Sequence, residues 1–176
     1  HARIETTSPT VPPMLEPNET GESMSDLLAA GEIDAILGSR RPDSLGKHPD
    51  VVRLFPDYRK IERDFYERTQ IHPIMHVIAI RRDVYDKDPW ITASLYQAFD
   101  AAKDWALARL RISGAQHSML PFQFADMDEV DELFGGDPWP YGIEPNRPTL
   151  EALVRHLHEQ HFIRDVMPIE DLFVAV

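Results

Sequence analysis

No cysteine occurs among the 176 residues, and that absence removes a disulfide framework, a thiolate metal site and a cysteine nucleophile together. Basic residues are also scarce: 18 Lys and Arg stand against 30 Asp and Glu, for a formal net charge of -12. Phosphate backbones are bound by a net basic face, so no nucleic-acid partner is expected. A local basic pocket for a small anion stays open. The longest apolar runs fall well short of the roughly 20 residues that a membrane span needs, so no membrane insertion is expected. What is present, at 43% apolar residues, is the composition of a soluble globular domain with a substantial core.

The chain begins at His1, and residues 1–22 are polar and proline-rich, hence extended or loosely ordered. They read as the interior of a longer protein, with any export signal lying upstream. Ser23 and Asp26 have capping-box spacing, Met24, Leu27 and Leu28 supply an apolar side, and Gly31 suits a helix end. A strand is expected at once, over Ile33 to Leu37, which makes helix and strand one half of an α/β unit. Ligands in such folds gather beyond the carboxyl ends of strands. The loop from Gly38 to Asp50 would lie there and brings Ser39, Arg40 and Arg41 forward as anion-binding candidates. The alternative is a solvated turn with surface arginines.

The expected centre of the fold is Ile71 to Asp83, I-H-P-I-M-H-V-I-A-I-R-R-D. Its nearly continuous apolar and β-branched run reads as a strand buried on both faces of a mostly parallel sheet. His76 interrupts it, on the side of Ile74, Ile78 and Ile80. An imidazole so placed needs a partner, so it is either a core histidine satisfied by a carbonyl or a site residue.

The flanking elements follow from periodicity. Val51 to Phe55 suggests a short strand, and Pro56 starts a helix through about Thr69 with Tyr58, Ile61 and Phe65 as its apolar stripe. Asp88-Pro89 opens a long helix to about Ile112, whose stripe would pack on the sheet. The acidic run Asp126 to Glu132 lacks the glycine and glutamate spacing of a calcium-binding loop and reads as a helix ending at Gly135-Gly136. Asp137 to Arg147 is a rigid aromatic loop in which Trp139 and Tyr141 either stack on an aromatic ligand or plug the edge of the core. Pro148 starts a last helix with Leu150, Leu153, Val154 and Leu157 inward, and Ile169 to Phe173 adds one more turn. His158 and His161 have helical spacing, but no third ligand follows from the pattern and no metal site is assigned.

Several segments together resemble a known family. R-L-F-P-D-Y at Arg53 to Tyr58, P-I-M-H at Pro73 to His76, W-P-Y-G at Trp139 to Gly142, N-R-P-T-L-E-A-L at Asn146 to Leu153 and H-E-Q at His158 to Gln160 look like the 4,5-dihydroxyphthalate decarboxylases. The run from Met24 to Leu37, with the later strand and long helix, resembles type II periplasmic-binding-protein folds. The resemblance implies an α/β chain that is part of such a two-lobed fold, a mostly parallel sheet flanked by helices. Residues 1–22 would be an extended segment, 23–72 the remainder of a second lobe, and 73–176 the carboxyl-terminal part of the first. The missing amino-terminal half of the same protein would be the partner.

The activity implied is decarboxylation of 4,5-dihydroxyphthalate, a small anionic aromatic substrate, to protocatechuate, with no organic cofactor. In that chemistry Arg40 and Arg41 would hold carboxylates, His76 would deliver a proton, and Trp139 or Tyr141 would pack against the ring. The loop departs from the family pattern, since Arg41 stands where the first of two prolines would be. Either arginine is thus a candidate for the carboxylate. The rival reading is a non-catalytic solute-binding protein of a transporter; it would be periplasmic, whereas the enzyme would be cytoplasmic.

Overall fold

Helices supply the regular structure of this computed structural model, which describes residues 17–114 and 118–174. In chain order they are α1 (Met24–Ala30), α2 (Tyr58–Thr69), α3 (Arg82–Lys87), α4 (Ile91–Leu110), α5 (Gln123–Phe134), α6 (Ile143–Glu159) and α7 (Ile169–Leu172). Most of the proline-rich stretch 1–22 lies outside the described residues.

The expected α/β architecture does not form. The fold is all-α, and the β pairing among the described residues is one isolated bridge between Leu45 and His48. Part of a two-lobed, type II periplasmic-binding-protein-like sheet is therefore not what this chain builds. The physical reason lies in where hydrogen bonds close. A helix satisfies its backbone within one segment, whereas a strand requires a second segment alongside. The stretches 33–37, 51–55 and 71–80 have the apolar composition of strands, yet each lies outside helix and strand. Val51 is buried, but many of their other apolar side chains stay at the surface: Leu37 is 105% exposed, Leu54 83% and Met75 68%.

The described residues divide into two units, 17–62 and 63–174, with the division falling inside α2. In the first unit α1 forms as the sequence suggests. The Ser23 hydroxyl accepts from the Asp26 N–H at 3.1 Å and donates to its carboxylate at 2.6 Å. Gly31 takes a left-handed conformation, φ 75°, and its N–H caps the last turn, a geometry that a side chain would strain. Ser25 ties α1 to the following loop, accepting from the Ser44 N–H at 2.9 Å and donating to its hydroxyl at 2.9 Å. Leu27 and Val51 are the buried apolar residues here.

In the second unit the core lies between α6 and α7, where Leu150, Val154 and Ile169 pack with Ile143, Ile163 and Phe173. Leu150 and Val154 are one helical turn apart and so share a face. Leu153, expected beside them, is 53% exposed, and Ala152 is buried instead. Helix α6 also begins five residues earlier than its proline signal suggests, so Pro148 sits inside it and removes one backbone donor. Arg147 braces this turn by pairing with Glu144 at 2.6 Å and with Glu170 of α7 at 2.8 Å. Its hydrogen bonds hold both carboxyls below the usual carboxylate range. Arg63 joins α2 to α5 through Glu132 at 2.7 Å. The expected α5, with Met127, Val130, Leu133 and Phe134 all half-buried, ends at Gly135 as read.

Leu150→Ala should cost about 2–3 kcal/mol, because it empties a buried contact that holds α7. Leu153→Ala should cost less than about 1 kcal/mol. Urea unfolding followed by circular dichroism checks both, and equal losses would place the core on the wrong face of α6.

Candidate functional site

In the second unit, loop 137–142, D-P-W-P-Y-G, gathers the side chains with most chemical potential. Prolines at 138 and 140 narrow its backbone freedom. The Asp137 carboxylate accepts from the Trp139 N–H at 2.9 Å and so closes the turn. Four successive carbonyls then each accept from a side chain on a helix. Lys103 of α4 donates to Trp139 O at 3.4 Å, Asn146 of α6 to Pro140 O at 2.6 Å and Gly142 O at 2.9 Å, and Tyr96 of α4 to Tyr141 O at 3.3 Å. Such anchoring turns a loop into a rigid presenting edge.

The aromatic rings of the loop differ in availability. Tyr141 has the Lys103 ammonium 4.5 Å from its ring centroid and the Tyr96 ring edge-on at 6.3 Å. Trp139 remains 54% exposed. Its ring lies 6.2 Å from His72, which in turn packs against Phe134 at 5.0 Å and Tyr66 at 6.1 Å. Thr149 of α6 fixes the His72 backbone, its hydroxyl accepting from the N–H at 3.1 Å and donating to the carbonyl at 3.2 Å.

Lys103 holds this arrangement electrostatically. Its side chain is largely buried, with Asp137 at 2.6 Å and Asp100 at 3.0 Å. Burial pulls the ammonium pKa down, but hydrogen bonds to the two aspartates outweigh that and leave it above the usual lysine range. The group is therefore a fixed cation near neutral pH, already neutralised by two carboxylates. It fits an anchor better than a base or a substrate-carboxylate ligand.

Beside the loop, α4 and the end of α5 bound an open depression of about 450 Å³, lined in part by Asp104, Arg111, Asp131 and Asp137. Arg111 is engaged by Asp131 and by Gly136 O at 3.0 Å. Three carboxylates around one guanidinium repel a dicarboxylate.

The residues singled out in the sequence occupy both units. Trp139 and Tyr141 share the anchored loop. His76 belongs to the second unit, in the exposed stretch between α2 and α3, and makes no hydrogen bond, ion pair or ring contact among the described residues. Ser39, Arg40 and Arg41 are exposed in the first unit. Arg41 donates to Leu45 O at 3.0 Å and closes the turn at Gly46, φ 83°, where an added Cβ would lie 3.1 Å from its guanidinium. Arg40 makes no hydrogen bond or ion pair among the described residues. Sequence reasoning passed over His72 and Lys103. The proline after His72 marks an extended position, but nothing local announces its ring neighbours or the pairing of Lys103 with a loop 34 residues away.

No protein-family model matches the chain. Over 141 residues, 80% of its length, it is 35% identical to 4,5-dihydroxyphthalate decarboxylase of Comamonas testosteroni. The chain is a homologue of that decarboxylase. The match spans 43% of the relative's length, and the resemblance read from the sequence segments is thereby borne out. In this decarboxylase homologue no helix among the described residues is long and apolar enough to cross a membrane. No group of three or more His, Asp or Glu among them is arranged to hold a metal. Helix α6 ends at Glu159, and His161 beyond it has φ 62°, so His158 and His161 do not share a helix face.

Lys103→Met should destabilise the protein by about 2 kcal/mol, the worth of charge-assisted hydrogen bonds to a partly buried loop. Because the folded pKa is raised, the contribution is fully present below the unfolded value of about 10.4 and fades as pH rises through the folded one. Urea unfolding of both proteins should show a constant difference from about pH 6 to 9 and a smaller one above about pH 10.5. A difference that vanishes near neutral pH would contradict the fixed cation.

Proposed function

We propose that the chain is part of a carboxy-lyase that converts 4,5-dihydroxyphthalate to protocatechuate and carbon dioxide. The observation that carries this reading is the 35% identity over 80% of the chain to a decarboxylase of that name. The remaining part of such a protein, corresponding to the unmatched portion of the relative, would be its partner.

The chemistry sets what the residues must do. The bond between a ring carbon and its carboxylate breaks, carbon dioxide leaves, and the carbon takes a proton, so the dianionic substrate and one proton yield the monoanionic product. Negative charge on the ring carbon is relieved when that carbon is protonated first, assisted by the hydroxyl para to it. His76 is proposed as the proton donor, since imidazole is the side chain that changes charge near neutral pH. The exposed indole of Trp139, with Tyr141 beside it in a rigid loop, suits packing against an aromatic ring. Ser39, Arg40 and Arg41 are proposed as carboxylate ligands on their own chemistry, and Arg40 is the stronger candidate because Arg41 already closes a turn.

The test is a proton NMR time course of 4,5-dihydroxyphthalate with a full-length protein containing this sequence. New ring signals of the monocarboxylate are expected, and His76→Ala should lower kcat/KM by about 100-fold or more. Undiminished turnover in that variant would remove His76 from the mechanism, and broadened substrate signals without product would favour a solute-binding protein instead.

A further inference from the structure

The stretch 73–80 combines apolar side chains with an unpaired backbone. None of its backbone groups makes a hydrogen bond among the described residues, and Ile74, Met75, Val77 and Ile78 are all exposed. The core cluster of the second unit, between α6 and α7, includes none of them. A patch of this kind on a soluble surface marks an interaction site, and a free backbone adds main-chain hydrogen bonds to what a partner can gain.

We infer that residues 73–80 are a docking segment for the portion of the homologous decarboxylase that this chain does not match. The inference rests on the reading of the chain as part of a larger carboxy-lyase. Two observations select this occupant. The match leaves more than half of the relative unaccounted for, which is ample polypeptide to enclose the segment. Exposed residues at the adjacent positions 74–75 and 77–78 point to more than one side whatever the backbone conformation, so a single flat contact cannot cover them. A second copy of this chain is the poorer occupant, because each carries a formal charge of -12 and like charges oppose self-association. The segment includes His76, so docking would also take that imidazole out of bulk water.

The experiment mixes the 176-residue chain with a recombinant polypeptide comprising the unmatched portion of the Comamonas decarboxylase. Light scattering after size exclusion should show a one-to-one complex, and titration calorimetry should give a dissociation constant that the double variant Val77→Asp, Ile78→Asp weakens at least tenfold. Leu153→Asp, an exposed apolar position on α6, should bind as the parent does. Both variants should retain the parent helical circular dichroism, since none of the three residues is buried. Absence of a complex, equal binding by the double variant, or a dimer of the chain alone that this variant dissolves would overturn the inference. Turnover is not the readout, so an inactive complex would count against the carboxy-lyase reading while leaving the docking segment standing.

Discussion

Every peptide group carries a donor and an acceptor that must be satisfied, and in this chain the segments that satisfy them internally are the ones that acquire regular structure. That constraint accounts for an all-α fold in a sequence with conspicuous strand-like stretches. Helices α4 and α6 close their own hydrogen bonds over 20 and 17 residues. The stretches 33–37, 51–55 and 71–80 have no neighbouring strand among the described residues to close with. Many of their apolar side chains, such as Leu37, Leu54 and Met75, face solvent, and in the second unit packing concentrates where helices meet, at α6 and α7.

The same constraint explains the rigid loop 137–142. Residues 137–142 cannot form internal backbone bonds, given two prolines in six positions, so side chains from α4 and α6 supply the donors. Lys103, Tyr96 and Asn146 are thus structural members of a site whose exposed feature is Trp139. The fixed charge of Lys103 belongs to that role: paired with two aspartates, it stabilises the loop and leaves no net cation there for a carboxylate. A protein acting on a dianion needs its cations elsewhere, which is why Arg40, without an ion pair among the described residues, matters to the functional proposal.

Much of the helical framework was legible in the sequence. The Ser23 and Asp26 cap, the Gly31 and Gly135 stops and the long periodic stripe of α4 are local signals, and local signals survive whatever the rest of the chain does. The sheet was misread because apolar, β-branched composition reports only that a segment suits a strand; whether one forms depends on a partner that composition does not reveal. Helix α3 was missed because Arg81 to Lys87 has no apolar stripe. The start of α6 was misplaced because Pro148 was taken as its first-turn proline, when Gly142 and Pro145 had already admitted the chain into the helix. Trp139 and Tyr141 were visible as a pair in a proline-bounded loop. The contacts of Lys103 and His72 were not, since they join positions far apart in sequence.

The measurement that bears most directly on this account is hydrogen exchange of the chain by itself, resolved to individual amides. Amides of 74–80 should exchange at close to unstructured rates while the interiors of α4 and α6 are protected, because the former have no acceptor and the latter do. Strong protection across 74–80 in the isolated chain would mean that these residues pair after all, and would contradict the explanation of why no sheet forms among the described residues.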